Sequence, residues 1–474
     1  MKRSCEKMGY QILGVLILVN VFFFSSEINS LLESGIPRRM SRTALWHFFE
    51  TRNSIPPPLT GYEGISKLEQ GHYLIVKPGG VEKKKYWNLA SRIDAGLTEK
   101  DWEERFYQKL DEVVKMELVS DVPLGISLSG GVDSSSICAL TREVRPDIQT
   151  FSMITTLPDD PEKPRIDQIV KNFNLINTQF LFNEIMDFDS LLKLPGLYGE
   201  PYAHYPHLYV AFLYQNIRKS VKTVITGNGG DEVLAGYSGY QELVQNKKLQ
   251  LLQNVLRFDR SGKAWGRLFM WRLGQKMFGR QKRLFTPGFL ADADLAEVME
   301  PYKHVFSNTS FDHFVPAKLH QDLLYYHYHG VVQMHDTAAM RYGLELRSPF
   351  LEHELIELIR KMPVNMLIGD NNNPLLNKYI LKKSMERKLP KSLLYAKKLG
   401  FGYGVDINAL IRDHWAGRIW ELFSQKRELD QWISKPVLRT VWDEFLNGNN
   451  FSTATVIALI ALFSWYDNYK PSLA

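Results

Sequence analysis

The segment LGISLSGGVDSSSICAL, residues 124–140, constrains this chain more than any other. The aliphatic run Leu124–Leu128 suits a strand buried on both faces, and such strands belong to parallel sheets. SGGVDSS reads as a tight turn and SSICALTREV as the helix that follows. TFSMITT (150–156) reads as a second strand, RIDQIVKNF as a helix, and TVITGNGGDE as a further strand with its own glycine-rich turn. Strands alternating with helices predict α/β architecture, a doubly wound parallel sheet. Such sheets bind ligands at the carboxyl ends of their strands, where both glycine-rich turns fall.

A turn leading from a buried strand into a helix presents backbone N–H groups and the positive helix end to an anion. Gly130 and Gly131 let an anion approach the main chain, and Ser129, Ser134 and Ser135 add hydroxyl donors. Asp133 would repel a phosphate unless a cation stood between them, so the pattern points to Mg²⁺. The sequence has no Walker A loop. In TGNGGDEVLAGY (226–237), Asp231 shares that metal with Asp133 if the two turns are neighbours; the alternative is a glycine turn with Asp231 capping a helix. In HDTAAMRYGLELRSPFLEHELIELI (335–359), Pro349 marks a break, Glu345 and Arg347 are placed to pair, and a structural role suits most of the block. In LLYAKKLGFG (393–402), only the company of the other motifs lifts Lys398 above a solvent-facing lysine.

The chain's 474 residues suggest two or three domains. A net charge of +6 is compatible with anionic small molecules and far from a nucleic-acid-binding signature. Two cysteines, Cys5 and Cys138, cannot build a disulfide framework, which favours a reducing, cytoplasmic setting. ILGVLILVNVFFF (12–24), after the basic MKRSCEK, fits either a signal-peptide core or one or two buried strands. HYLIV and a charged segment ending in Tyr86-Trp87 read as strands about the KPGG turn, with both aromatics in the core. Thr98 is placed to cap a helix whose apolar face is Trp102, Phe106, Leu110, Val113 and Leu118. DNNNPLLNK (370–378) reads as a polar loop, and STATVIALIALFSWYDNY (452–469) as an apolar helix too short to span a membrane, with Trp465 and Tyr466 packing.

Taken in order, SGGVDSS, TFS, TGNGGDE, GLELRSPFLEH and KKLGF resemble the asparagine synthetase family from about residue 98 to the C-terminus. FFFSSEINSLLESG, LTGYEGISKLEQGHYLIVKPGG and the following YW are similar to the closing segments of that family's glutaminase domain, which favours the strand reading of 12–24. The resemblance implies a pyrophosphatase-loop ATPase of the adenine nucleotide α-hydrolase-like fold over 98–474, with a nucleotide-binding core at 98–245 and a mainly helical part at 246–474. It implies a small β-rich remnant of an Ntn-type, amidotransferase type 2 glutaminase over 1–92.

The implied reaction is an ATP-dependent, AMP-forming amide ligation: a carboxylate such as that of aspartate is adenylated, and ammonia or another amine displaces AMP. Carried over residue by residue, Ser129, Gly130, Gly131, Asp133, Ser134 and Ser135 cradle the pyrophosphate, and Asp133 and Asp231 hold Mg²⁺. Leu128, Met153, Thr226 and Gly227 contact the adenosine moiety, and Lys398 offsets charge on the α-phosphate. Two positions depart from the family. Lys2 stands where the glutaminase cysteine is expected, which implies no glutamine hydrolysis, with ammonia used directly or supplied by a separate glutaminase. Asn228 stands where many members carry a carboxylate, which leaves the amine and carboxylate open. A lasso-peptide or β-lactam-type cyclase acting on a peptide or other tailoring substrate is the alternative enzyme, and an inactive nucleotide-binding regulatory protein the alternative of another class. Neither nucleic acid nor membrane is expected as a partner.

Overall fold

The computed structural model describes residues 14–18, 21–51, 54–89, 93–94, 96–155, 162–182, 187–245, 284–286, 289, 314–326, 328–369, 377–398, 406–449 and 453–473. The basic leader with Lys2 and Cys5, most of the helical expectation for 246–313, the asparagine-rich stretch 370–376 and residues 399–401 of KKLGF lie outside them.

The apolar stretch near the start forms strands. β1 (Gly14–Leu18) and β2 (Val21–Ser25) make an antiparallel hairpin, registered from Gly14 opposite Ser25 to Leu18 opposite Val21, and β3 (Ser66–Lys67) pairs with the other edge of β1. β4 (His72–Lys77) and β5 (Gly80–Lys85) form the second hairpin about KPGG. That two-stranded sheet covers little. Tyr86, expected in the core, is 51% exposed, whereas Trp87 is half-buried with its indole N–H donating to Glu357 Oε1 at 2.8 Å.

The central sheet is wholly parallel. β6 (Leu124–Ser127), β7 (Gln149–Thr155), β8 (Ile176–Phe182), β9 (Thr223–Ile225) and β10 (Glu345–Arg347) lie in the order β10-β9-β6-β7-β8. From β6 the chain builds outward through β7 to β8, then returns to add β9 on the opposite side. The strand order therefore reverses between β6 and β9, which makes their carboxyl ends the binding crevice of such a sheet. Alternating side chains send the two faces into different cores. Ile126 and Ile225 pack with the helices Glu99–Glu117 and Val132–Val144; Phe151, Val224 and Leu346 pack with His207–Ile217 and Gln333–Met340. Helices on both faces make the sheet doubly wound.

Local signals explain how these helices start. Thr98 caps Glu99–Glu117 in a capping box: its hydroxyl accepts the Asp101 N–H at 3.2 Å while its own N–H donates to Asp101 Oδ2 at 3.0 Å. Trp102, Phe106, Leu110, Val113 and Leu118 are all buried. Arg347 donates to Glu345 Oε1 at 2.8 Å and also holds the carbonyls of Glu117 and Val119, so this part of the 335–359 block ties β10 to the end of that helix.

A third core joins the two ends of the sequence. The helix Arg42–Thr51 packs with Phe188–Tyr198 and with Thr453–Tyr469, which is apolar around most of its circumference because it is buried on nearly every side. Among the described residues no helix is long and apolar enough to cross a membrane. Trp465 is fully buried and its indole N–H is shared between Tyr62 Oη (3.0 Å) and Gly199 O (3.1 Å); Tyr466 packs at the margin. Beside it Lys67 donates to the Ile55 carbonyl at 2.6 Å and to Glu200, whose other oxygen accepts the Gly61 N–H at 3.2 Å. Both side chains of this ion pair are less than 5% exposed. Burial pushes Lys67 down and Glu200 up, each resisted by the other's charge.

A buried pair of this kind is costly to break from one side. Lys67→Met is expected to destabilise the chain by about 3–5 kcal/mol in urea unfolding, through the unpaired Glu200 carboxylate. The double variant Lys67→Met/Glu200→Gln should recover most of that loss.

Candidate active site

β6 and β9 end side by side, and their glycine-rich turns interlock. Leu128, at the end of β6, is anchored by its backbone: its N–H donates to Phe151 O at 2.8 Å and its carbonyl accepts from Ser152 Oγ at 2.7 Å, while its side chain enters the core. Ser129 then turns the chain. Its N–H donates to Ser134 Oγ at 3.2 Å, the two hydroxyls lie 3.1 Å apart, and the Gly131 N–H points back to Ser129 Oγ at 3.4 Å. Gly131 is the residue before the helix Val132–Val144, so Asp133 stands in its first turn and Ser135 on its buried side.

The turn after β9 presses directly on this one. A β-carbon at Gly227 would lie 2.8 Å from the Ser134 backbone nitrogen, and one at Gly230 would lie 2.5 Å from Asp133 Oδ1. Only glycine permits that approach. Thr226 is held by its N–H to Arg347 O at 2.9 Å and accepts the Asn228 N–H at 3.3 Å. Gly229 precedes the short helix Gly230–Val233, so Asp231 sits inside its first turn rather than capping it. Met153 is half-buried and packs toward both the N-terminal core and the core of Tyr202.

The carboxylates of Asp133 and Asp231 thereby come to share one cation, Lys378. Its ammonium bonds Asp133 Oδ2 and lies 2.7 Å from Asp231 Oδ1. Lys398 reaches the same Asp231 oxygen at 2.7 Å and lies 4.3 Å from the Tyr237 ring centroid. Burial raises the Asp133 carboxyl by more than Lys378 lowers it. For Asp231 burial acts in the same direction, but Lys378 and Lys398 together outweigh it and hold the group at about 2. Burial opposes the charge on Lys378, and the two carboxylates overcome it, keeping the ammonium above the ordinary lysine range. One turn along the same helix, Tyr379–Met385, burial pushes Lys382 down to about 8, with the neighbouring Lys378 adding to the effect.

Lys378 escaped sequence reasoning, which placed it at the end of a polar loop. The available signal was weak: a lone lysine closing an asparagine-rich stretch before a helix. Its backbone is distinctive, with φ 59° and ψ 37°, the left-handed region that a non-glycine residue rarely enters. Its side chain is 5% exposed. Two polar atoms of the interlocked turns, Asp133 Oδ1 and Asn228 Nδ2, are buried with no hydrogen-bond partner among the described residues. Orphaned polar atoms in a cleft mark a place where a ligand completes the hydrogen bonding.

The family model described as asparagine synthase matches residues 105–467, more than half of the chain, and one described as a glutamine amidotransferase domain matches residues 6–87. The chain belongs to the asparagine synthase family. A putative glutamine-hydrolysing asparagine synthetase of Mycobacterium tuberculosis is 25% identical over 77% of this chain and 58% of its own length. Asparagine synthetase [glutamine-hydrolyzing] 1 of Bacillus subtilis is 22% identical over 90% of this chain and 66% of its own. The chain thus spans less than two thirds of either relative's length. Among solved structures, an NH3-dependent NAD synthetase from Campylobacter jejuni aligns with 44% of this chain and 95% of its own at 14% identity and a TM-score of 0.21, too distant to carry an argument.

Removing the shared cation tests the geometry without reference to activity. Lys378→Met is expected to lower stability by about 3–5 kcal/mol, because two buried carboxylates are left facing each other. Added MgCl2 should raise the melting temperature of this variant more than that of the unaltered chain, as measured by scanning calorimetry.

Proposed function

We propose that this chain is an ATP-dependent, AMP-forming carbon–nitrogen ligase that adenylates a carboxylate such as that of aspartate and transfers the acyl group to ammonia. The observation that carries this reading is the convergence of Asp133, Asp231, Lys378 and Lys398 where two glycine turns meet at the strand-order reversal. A triphosphate suits such a place: the first turn of the helix Val132–Val144 and the lysine ammonium groups bring positive charge to it. Lys382 adds a further positive charge once a polyanion raises its affinity for a proton.

Mg²⁺ fits the donor set. Asp133 and Asp231 offer hard carboxylate oxygens that already share one cation, and Asp133 Oδ1 is buried without a partner. These two residues would hold the ion, which neutralises phosphate charge when bound. With the carboxylates so engaged, Lys378 would be free to face phosphate oxygens. Lys398, reaching in from the rim, is placed to stabilise charge that grows on the α-phosphate as the carboxylate attacks. Leu128, Met153, Thr226 and Gly227, in or just after β6, β7 and β9, are the residues this reading assigns to the adenosine.

Ammonia enters this reading either directly or from a separate glutaminase. Cys138 is fully buried and its thiol is pushed up to about 12 by burial, so it supplies no nucleophile for glutamine.

ATP–pyrophosphate exchange in the presence of aspartate and Mg²⁺ tests the reading. Asp133→Ala should reduce exchange at least a hundredfold while far-ultraviolet circular dichroism stays unchanged. Lys398→Ala should lower kcat about a hundredfold with less than a threefold change in the Kd for ATP, corresponding to about 3 kcal/mol of transition-state stabilisation. An equal loss in ATP affinity would assign Lys398 to ground-state binding instead. Exchange that persists at the parental rate in Asp133→Ala would remove the basis of the whole assignment.

A further inference from the structure

The side chain of Lys398 is 46% exposed, and a long, flexible lysine at a rim needs more than one contact to stay in place. Its ammonium bonds Asp231 Oδ1 at 2.7 Å, lies 3.4 Å from Gly236 O, and stands over the ring of Tyr237, 4.3 Å from the centroid. Asp231 is the carboxylate assigned to Mg²⁺, so its charge is already committed during turnover. The Gly236 contact is long for a hydrogen bond. The ring of Tyr237 is the contact that stays with the lysine.

That ring is built into the site. The chain leaves the short helix Gly230–Val233 through Ala235, whose φ of 55° lies in the left-handed region. The turn then folds back over its own helix. The Gly236 N–H donates to Asp231 O at 2.9 Å, and a β-carbon at Gly236 would collide with Asp231 Oδ1 and with Lys378 Cε. The Tyr237 carbonyl accepts from Asn377 Nδ2 at 3.0 Å, one residue before Lys378. The Tyr237 hydroxyl donates to Oε1 of Glu232, a buried carboxylate next to Asp231 in sequence. Tyr240 packs beside it, ring centroids 6.4 Å apart, and is itself fixed by donating to Asp322 Oδ2 at 2.7 Å. Tyr237 is thus tethered at its backbone and at its hydroxyl, with its ring under the ammonium.

We infer that Tyr237 is the positioning residue for Lys398: an aromatic platform that holds the ammonium at the crevice without neutralising it. This rests on the ligase reading, which gives Lys398 its task. A carboxylate partner cancels the charge of a lysine. An aromatic face attracts the cation through its quadrupole and carries no net charge of its own. The positive charge therefore remains available to the α-phosphate. Glu232 serves the same end one step further back, by accepting the phenol proton and fixing the ring. Because Tyr237 acts through Lys398, its loss falls on the step that Lys398 serves and spares ground-state binding of ATP.

ATP–pyrophosphate exchange with aspartate and Mg²⁺, beside the Kd for ATP from titration calorimetry, tests this role. Tyr237→Leu should lower the maximal exchange rate about tenfold and leave the Kd within about twofold. Tyr237→Phe keeps the ring and should recover most of that loss. In a Lys398→Ala background, Tyr237→Leu should cause no further loss, because its effect runs through that lysine. Singly and then triply fluorinated phenylalanine at position 237 weakens the π face at nearly constant shape, and should lower the rate stepwise below that of Tyr237→Phe. Equal losses from Tyr237→Leu with and without Lys398, a flat fluorine series, or a Kd that rises as far as the rate falls would overturn the role. Should Tyr237→Leu fail to fold by circular dichroism, the fluorine series decides alone. Absence of exchange in the unaltered chain would overturn the ligase reading, and this role would fall with it.

Discussion

Two carboxylates that meet in a buried crevice must be held by positive charge, and much of this site follows from that requirement. Asp133 and Asp231 arrive from separate strand ends, brought within reach because the glycines of the β9 turn let it press against the first turn of another helix. The repulsion between them is relieved by Lys378, whose backbone takes a left-handed conformation to place the ammonium. Such strain persists only where the surroundings over-determine it, and it clusters at functional sites. The arrangement is close to balanced in charge: two carboxylates face Lys378 and Lys398. Asp133 and Asp231 would hold a divalent cation in place of the lysines, which would then face the crevice with the positive charge that a triphosphate requires.

The N-terminal residues are bound into the same argument. Tyr62, Gly61 and Lys67 hold the corner Gly199–Glu200 through Trp465 and a buried ion pair. That corner leads within two residues to Tyr202 and then to His207. Residues that match a glutamine amidotransferase model therefore shape the rim of the parallel sheet, and they share one core with the helix Thr453–Tyr469. The β4–β5 hairpin is the exception, since it is paired only with itself and largely exposed.

What could be read from sequence was local. The Thr98 cap, the strand–turn–helix at 124–140 and the glycine turn at 226–230 are each encoded within a few residues, and each forms as its pattern dictates. Lys378 was illegible because its meaning depends on Asp133, 245 residues away in sequence. Lys67 and Glu200, 133 residues apart, are two unremarkable polar residues until the fold buries them together. Tyr86 misled for the opposite reason: an aromatic pair after a strand implies a core, but among the described residues no layer covers the hairpin at that point.

The proposed chemistry also explains why the cluster at the β6–β9 junction is built on lysines. Adenylation concentrates negative charge, so its side of the rim needs fixed cations, and lysines paired to carboxylates remain protonated even when buried.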